Sequence, residues 1–402
     1  MMLQATLRIA YSNNPERLWT IGQSNERINS HDLLSCTTIS LQHRLNRYRI
    51  QYRLKLQTAH QKLSAQHSSD SDVPSWREAS SNKVVPEARI ILTYDRLKWH
   101  TDYQLGLSSW RGLRPVAKAS VTYDATVDNK ITFSYELGQQ LPELHQTVDG
   151  SYYNSYRTLR VNDFEPATNS RHTLFVHDEY ANATTGRFMS ATLGCVFSHT
   201  DHILETGIAA DSLYYRWYMH GADYYTQTHF ASVRLGKTWS TWRSTLNLRG
   251  NYTGTENRRL INDTRDIVRL QHINTGLYYS CRPQPWLSPY LSVRWFQTTH
   301  RLTSLHTSND VEYRCDLSCP INKKWRFSLN NAIYQQLEHR QLTYFADCSI
   351  HYSYKHIEWD ITLNNLLNHR YLVQTDLTTY SQSTSRFWLR PREILLHLSF
   401  GI

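Results

Sequence analysis

The chain has 402 residues, a net charge of +10, 12% aromatic residues and a mean hydropathy of −0.59. The aromatic content excludes a disordered chain, and no apolar run approaches the roughly 18 residues that a membrane helix needs. Basic residues are scattered singly, as in Arg49, Arg53 and Lys55, without the dense tract or motif of a nucleic-acid-binding protein. We therefore expect an ordered fold with no nucleic acid partner.

The N-terminal residues, 1–13, contain no basic region followed by an apolar stretch and a small-residue cleavage site. The sequence thus predicts no signal peptide. We expect either a mature form or a chain truncated at its N-terminus, and favour truncation.

Apolar and polar residues alternate with a period of two in the segments 48–58, 117–127, 131–137, 242–252 and 342–354. This alternation is typical of β-strands, because successive side chains of a strand point to opposite faces. In one segment, Trp242, Leu246, Leu248 and Tyr252 oppose Arg243, Asn247, Arg249 and Asn251. A helix with this pattern would carry charge on every side.

The alternating segments run about 10 to 14 residues, longer than the typical five or six of a soluble sheet. A tilted membrane strand needs about 9 to 11 residues to cross. The fold class predicted is therefore all-β, a transmembrane antiparallel β-barrel with about 18–20 strands, occupying residues 1–402 as one domain. A barrel of that width leaves a channel or needs a plug.

The connectors alternate between short and long in the second half, as periplasmic turns and extracellular loops should. Short turns are predicted near 199–201, 237–241, 282–285, 320–324 and 354–356. Longer connectors are predicted near 211–223, 254–265, 301–309 and 368–385. The segment 141–170 breaks the alternation, and a further strand near 152–161 is a possibility there.

Two stretches resemble the TonB-dependent receptor family and its outer-membrane barrel relatives. Asn365-Leu366-Leu367-Asn368, followed by His369-Arg370-Tyr371, is similar to the family's Asn-Leu-Phe-Asn segment before a Tyr. The run from Leu389 to Phe400 resembles the closing strand of these barrels, including the near-terminal Phe that the assembly machinery reads. A looser resemblance to the family's Asn-Pro-x-Leu-x-Pro-Glu region covers Leu141–Leu144 and Asn162–Pro166, where Val161 replaces the expected Gly.

The resemblance implies an outer-membrane receptor barrel that takes up a bound nutrient. It implies membrane lipid and the barrel assembly machinery as partners, and TonB as a partner reached through an N-terminal plug domain. Barrel-like strands are predicted to begin by Leu3, so we expect no plug domain in this polypeptide. The alternatives are a plugless outer-membrane pore or surface-binding barrel, and a secreted all-β binding protein.

No nucleophile elbow, zinc-protease helix, Walker loop or dinucleotide motif occurs in the sequence. We therefore expect no enzymatic activity, no cofactor and no metal site. The nearest metal-like pair, His199 and His202, is predicted to flank a solvated turn at Thr200-Asp201.

Ligand contacts are expected in the long connectors, because loops on a rigid scaffold commonly carry recognition residues. The candidates are Tyr214, Tyr215, Trp217 and Tyr218, which could stack on a sugar or a flat chelate, and Arg258, Arg259 and Arg265, which could pair with an anion. Separately, Trp242, Trp286, Trp325 and Trp359 each follow a short connector. They are expected to form an aromatic belt at the periplasmic interface.

Overall fold

The computed structural model describes the backbone of most of the chain. The described ranges are 2–21, 24–45, 48–68, 75–96, 99–109, 113–140, 150–155, 158–162, 169–208, 215–261, 264–301, 305–338, 341–354, 357–377 and 382–400. Side chains are described over a smaller set, and all contacts given below belong to that set.

The described residues form twenty-two β-strands. Their bounds are β1 Met2–Ile21, β2 Ser24–Leu45, β3 Tyr48–Ser68, β4 Ser75–Arg96, β5 Trp99–Ser109, β6 Leu113–Thr126, β7 Asn129–Gln140, β8 Gly150–Ser155, β9 Thr158–Asn162, β10 Asn169–Asn182, β11 Arg187–Ile208, β12 Tyr215–Trp239, β13 Ser244–Ile261, β14 Thr264–Cys281, β15 Ser288–Arg301, β16 Leu305–Pro320, β17 Trp325–Gln336, β18 Gln341–Tyr354, β19 Ile357–Asn364, β20 Tyr371–Leu377, β21 Gln382–Trp388 and β22 Glu393–Phe400.

One sheet contains twenty of these strands. Eighteen follow one another as an antiparallel meander, in the order β1 to β7, β10 to β19 and β22. β8 and β9 form a hairpin that joins the sheet through a parallel pairing of β9 with β12. β20 and β21 form a separate hairpin. The predicted all-β antiparallel fold with about 18–20 strands is confirmed.

The pairing register divides the side chains of the sheet into two chemically different faces. Directly paired residues of antiparallel strands share a face, and one such row reads Met189, Leu235, Leu248, Leu277, Val293, Tyr313, Ile333 and Tyr344. The row one residue along reads Ser190, Arg234, Arg249, Gly276, Arg294, Glu312, Tyr334 and Thr343. We call the first side of the sheet the apolar face and the second the polar face.

Burial in this sheet is the reverse of that in a soluble protein. Among the described side chains only four hydrophobic residues are buried, namely Ile91, Val116, Val268 and Ala346. Ten polar or charged residues are buried, namely Ser40, Ser134, Thr200, Ser244, Ser292, His300, Ser308, Glu312, Thr343 and Asn365. Large apolar side chains are exposed instead, including Leu54 at 61%, Leu105 at 66% and Leu193 at 67%. A water-soluble fold buries such side chains, so the apolar face lacks a protein partner over the described residues.

Aromatic residues collect on the apolar face at the end of the sheet that carries the turns 127–128, 183–186, 240–243, 282–287 and 321–324. Trp325 of β17, Tyr352 of β18 and Trp359 of β19 are register partners with ring centroids 4.7 to 5.5 Å apart. Trp99 and Tyr123 make a similar pair at 4.4 Å. Trp242 and Trp286 lie in the turns themselves. All four tryptophans predicted to form a belt thus lie at one end of the sheet.

Three of the five predicted short connectors are confirmed, one is wrong, and residues 355–356 of the turn predicted at 354–356 lie outside the described residues. Short connectors occur at 240–243, 282–287 and 321–324, close to the predictions. The predicted turn at 199–201 does not form, because β11 runs on to Ile208 and stays paired with β12 through a register shift between Thr200 and His202. The polar Thr200-Asp201 pair therefore lies in an irregularity of a continuous strand.

The predicted long connectors are largely strand. β12 begins at Tyr215, β13 reaches Ile261, β16 begins at Leu305, and β20 and β21 occupy much of 368–385. The hairpins continue beyond the alternating segments, because their backbones stay paired there. The side-chain pattern alone does not indicate this extension. The further strand suspected near 152–161 is present as β8 and β9.

Candidate functional site

The polar face carries a row of arginines that crosses neighbouring strands. Arg234 pairs with Arg249, Arg249 with Gly276, Gly276 with Arg294, and Arg294 with Glu312. Neighbouring strands lie about 4.8 Å apart, so the three guanidinium groups are distributed over roughly 15 Å of this face. We call Arg234, Arg249 and Arg294 the arginine row.

Each arginine of the row lies over an aromatic ring of the same face. The Cζ atom of Arg234 is 5.1 Å from the ring centroid of Phe188. For Arg249 the distance to Tyr278 is 4.9 Å, and for Arg294 the distance to Phe296 is 5.4 Å. These cation–π contacts hold the guanidinium groups against the sheet without neutralising their charge.

Two glycines make room for the rings that support the row. A Cβ atom at Gly236 would collide with the ring of Phe188, and one at Gly276 would approach the ring of Tyr278 to 2.8 Å. The ring of Phe188 therefore lies over Gly236 of the neighbouring strand, and the ring of Tyr278 lies over Gly276 of its own strand, where no side chain is in the way. The aromatic platform under Arg234 and Arg249 thus depends on glycine at these two positions.

The charges of the row are only partly compensated. Glu312, which is 4% exposed, pairs with Arg294. Arg234 and Arg249 are exposed, and neither forms an ion pair with a carboxylate among the described side chains. Their directly paired neighbours are each other, Ser190 and Gly276, and the nearest acidic position along the row is Glu179 beyond Ser190. The row therefore presents net positive charge.

Other basic groups of the polar face do have acidic partners. Lys118 lies 3.9 Å from Glu136, and Arg314 Nε lies 2.7 Å from Asp316 Oδ2. This contrast distinguishes Arg234 and Arg249 from the paired charges that stabilise a polar sheet surface.

A cavity of about 350 Å³ lies on the polar face beside the β20–β21 hairpin. It is lined by Arg314, Asp316, Asn330, Asn331, Ala332, Tyr334, Phe345, Asp347 and Leu372. Leu372 belongs to β20, so the start of this hairpin folds over the polar face. His369, just before β20, lies 6.2 Å from Phe345 between ring centroids.

Asn365 fixes the path of the chain into that hairpin. It is 8% exposed and has a φ of +52°, a conformation that asparagine tolerates better than most residues. Its side-chain amide donates to the carbonyl oxygens of His369 at 2.8 Å and Arg390 at 2.9 Å, and its Oδ1 accepts from the backbone N–H of His369. Its own N–H donates to Asp347 Oδ1 at 2.7 Å. Both ends of the 365–392 segment are therefore joined at this residue.

The ligand-contact residues expected from the sequence lie at the opposite end of the sheet from the tryptophans. Tyr214 is outside the described residues, and Tyr215, Trp217 and Tyr218 belong to β12, where they pair with Ile208, Thr206 and Glu205 of β11. Their side chains are not described.

The three arginine candidates lie on the β13–β14 hairpin. Arg258 is exposed and pairs with Ile267, Arg259 pairs with Asp266, and Arg265 pairs with Leu260. The side chains of Arg259 and Arg265 lie outside the described set. Their role in binding stays a prediction.

Sequence reasoning did not identify the arginine row. Arg249 was assigned to the polar side of its strand, but its juxtaposition with Arg234 depends on the pairing register of β12 and β13. The only sequence feature that could have indicated the row is an arginine at a polar strand position with a glycine within two residues, as in Arg234 and Gly236.

The described side chains contain no cluster of three or more His, Cys, Asp or Glu that could hold a metal ion. Among the described residues there is also no helix long and apolar enough to cross a membrane. All six cysteines are free thiols, and Cys315 and Cys319 lie on one strand.

No family model matches this chain, and no curated protein matches it. Two solved structures are similar over nearly the whole chain. OccK7 (OpdD) of Pseudomonas aeruginosa is 10% identical, with 99% of this chain and 98% of that chain covered and a TM-score of 0.38. OpdQ of Pseudomonas aeruginosa is 8% identical, with 98% and 97% covered and a TM-score of 0.30. Both TM-scores are too low for the similarity to support a statement about the function of this chain.

Proposed function

We propose that this chain is a β-barrel of the bacterial outer membrane and that its polar face lines a lumen through which polar solutes pass. The observation that carries the proposal is the inverted distribution of side chains between the two faces. Exposed leucines such as Leu193, Leu248 and Leu277 form the apolar face, while serines and charged groups such as Glu312 are buried on the other. A membrane barrel accommodates this distribution, because its apolar face contacts lipid hydrocarbon and its polar face contacts water in the lumen.

Closure of the sheet follows from the same placement. β1 and β22 are the first and last strands of the meander, and each pairs with a single strand within the described residues. An open sheet edge would leave backbone N–H and C=O groups without partners in lipid, at several kcal/mol each. Pairing of β1 with β22 removes that cost. An eighteen-stranded barrel encloses an aqueous channel unless a further domain fills it.

The end with the short turns and tryptophans faces the periplasm in this proposal. Bacterial barrels have short periplasmic turns, and aromatic side chains suit the membrane interface because one part of the ring is apolar and another is wet. Membrane lipid and the barrel assembly machinery are then partners of the chain.

The arginine row makes anionic solutes the favoured cargo. Arg234 and Arg249 present guanidinium groups that lack carboxylate partners among the described side chains. Such groups pair with the carboxylates and phosphates of solutes, because water in a lumen only partly screens the charges that line it. The chemistry is binding and translocation, without a bond-breaking step.

Conductance measurements on the purified chain in a planar bilayer test this function. We expect stepwise ion-conducting insertions, and a reversal potential in a KCl gradient that indicates preference for chloride. A chain that folds and inserts but gives no conductance would contradict an open lumen. Soluble, monomeric behaviour without detergent would contradict the membrane placement altogether.

The second candidate is the barrel of a TonB-dependent receptor, in which a plug fills the lumen. Its support is the hydrogen-bonded role of Asn365, because the Asn-Leu-Leu-Asn segment that resembles the family forms a specific structural junction. Fusing a plug domain to the chain and measuring nutrient uptake in cells with and without TonB separates the two candidates. Uptake that requires TonB supports the receptor, and TonB-independent uptake supports the pore.

A further inference from the structure

The apolar face contains a groove near the turn end of β10 to β14. Its volume is about 890 Å³. Most of its lining is apolar or aromatic and includes Tyr180, Met189, Leu235, Trp239, Leu246, Leu248 and Leu277. The remaining lining includes two cations, Arg187 and Lys237. Cations on the otherwise apolar outer side of a membrane barrel need an anionic or aqueous partner, because an isolated charge against hydrocarbon is costly.

Arg187 and Lys237 occupy directly paired positions on β11 and β12. Two residues further from the turns, the next pair on this face is Met189 and Leu235, and the row continues through Leu248 and Leu277. The groove is therefore amphipathic along its length. It is cationic beside the turns and apolar toward the middle of the sheet.

The two cations keep most of their hydrogen-bonding capacity. Lys237 Nζ donates to the carbonyl oxygen of Thr185 at 2.6 Å, which leaves two of its N–H groups. Arg187 is exposed and forms no ion pair with a carboxylate among the described side chains. One carboxylate lies beside the turns, since Asp128 Oδ2 accepts a hydrogen bond at 2.5 Å from Nδ2 of Asn182, the register partner of Arg187. Asp178, the acidic residue of β10 on this face, is about 13 Å along the strands from the level of Arg187 at roughly 3.3 Å per residue.

We propose that Arg187 and Lys237 bind the phosphate of a periplasmic-leaflet phospholipid whose acyl chains lie in the groove. This inference rests on the proposed membrane placement of the apolar face. Inorganic phosphate would satisfy the cations but would leave the apolar lining unexplained. A phospholipid satisfies both parts, because its headgroup lies at the interface and its chains extend toward the bilayer centre.

The test is lipid retention by the folded barrel in native mass spectrometry, with phosphatidylglycerol titrated into the detergent. We compare the wild-type chain with the double variant Arg187→Gln/Lys237→Gln. The matched control is Lys323→Gln/Lys324→Gln, which removes two exposed cations from the turn 321–324 at the same end of the sheet. We expect the first double variant to bind the most tightly held lipid about tenfold more weakly, and the control to bind it as the wild type does.

Two further measurements keep the outcome decisive. Leu235→Trp fills the groove without changing charge and is expected to weaken retention of phosphatidylglycerol, while inorganic phosphate at equal concentration should not compete. An equal loss of phosphatidylglycerol retention in both double variants would mean that interfacial cations attract the lipid non-specifically. Preferential retention of lipopolysaccharide would place this end of the sheet at the outer leaflet. Either result overturns the proposal. Conductance of the same variants distinguishes a failed lipid site from a failed membrane placement.

Discussion

Replacing Leu248 with Arg places a charge on the apolar face of β13 and should destabilise the folded barrel. Leu248 is 43% exposed and lies between its register partners Leu235 and Leu277, which are 39% and 46% exposed. The site is four residues from Ser244, where β13 begins beside the turns. At about 3.3 Å per residue and a tilt near 45°, Leu248 lies roughly 9 Å inside the apolar band, whose midplane is at about 12 Å.

The expected cost follows from that depth. An arginine at the midplane of a membrane barrel costs about 2–4 kcal/mol, and near the interface about 0–1 kcal/mol. For Leu248→Arg we therefore expect a loss of roughly 2–3 kcal/mol in the free energy of unfolding. Asn247→Arg is the matched control, because Asn247 is the preceding residue on the polar face and its new charge would meet water.

Urea titrations of both variants in lipid vesicles, followed by tryptophan fluorescence, provide the comparison. Asn247→Arg should change the free energy of unfolding by less than about 0.5 kcal/mol. Similar destabilisation by the two changes would refute the assignment of the faces, and a larger effect at Asn247 would reverse it.

The other predictions concern the lumen, the junction at Asn365 and the predicted binding residues. Arg234→Gln/Arg249→Gln should lower the chloride-to-potassium permeability ratio about twofold or more in planar bilayers, and an unchanged ratio would exclude the row from ion selection. Asn365→Ala removes buried hydrogen bonds and should cost about 2 kcal/mol in vesicle unfolding titrations, whereas Leu367→Ala, at a side chain 48% exposed, should cost much less; equal costs would contradict the junction. If the far end of the hairpins binds the solute, Trp217→Ala should weaken uptake in cells without changing conductance, and unaltered uptake would remove this residue from the candidates.

The two faces of the sheet were predictable from the sequence because alternation is a local property. The pattern of Leu246, Asn247, Leu248 and Arg249 depends only on the pleat of one strand. The last strand follows the same rule, since Leu396 and Leu398 pair with Ile361 and Trp359 on the apolar face.

Features that depend on pairing were not predictable in the same way. The turn predicted at Thr200-Asp201 is absent because backbone pairing with β12 continues past a polar pair that the side-chain pattern marks as an end. The arginine row and the Arg187–Lys237 pair arise from the register between strands, and a sequence gives no register without its partners. The fold of residues 365–372 over the polar face also depends on distant contacts, including the bond from the Asn365 N–H to Asp347.

The environment of alternate residues along β13 tests the central claim most directly. Single cysteines would be introduced from 246 to 249 in a chain whose six native cysteines are replaced, and the folded protein in lipid vesicles would be exposed to a water-soluble maleimide. We predict rapid labelling at 247 and 249, which face the lumen, and protection at 246 and 248, which face lipid. Equal labelling at the two pairs of positions would contradict the membrane barrel.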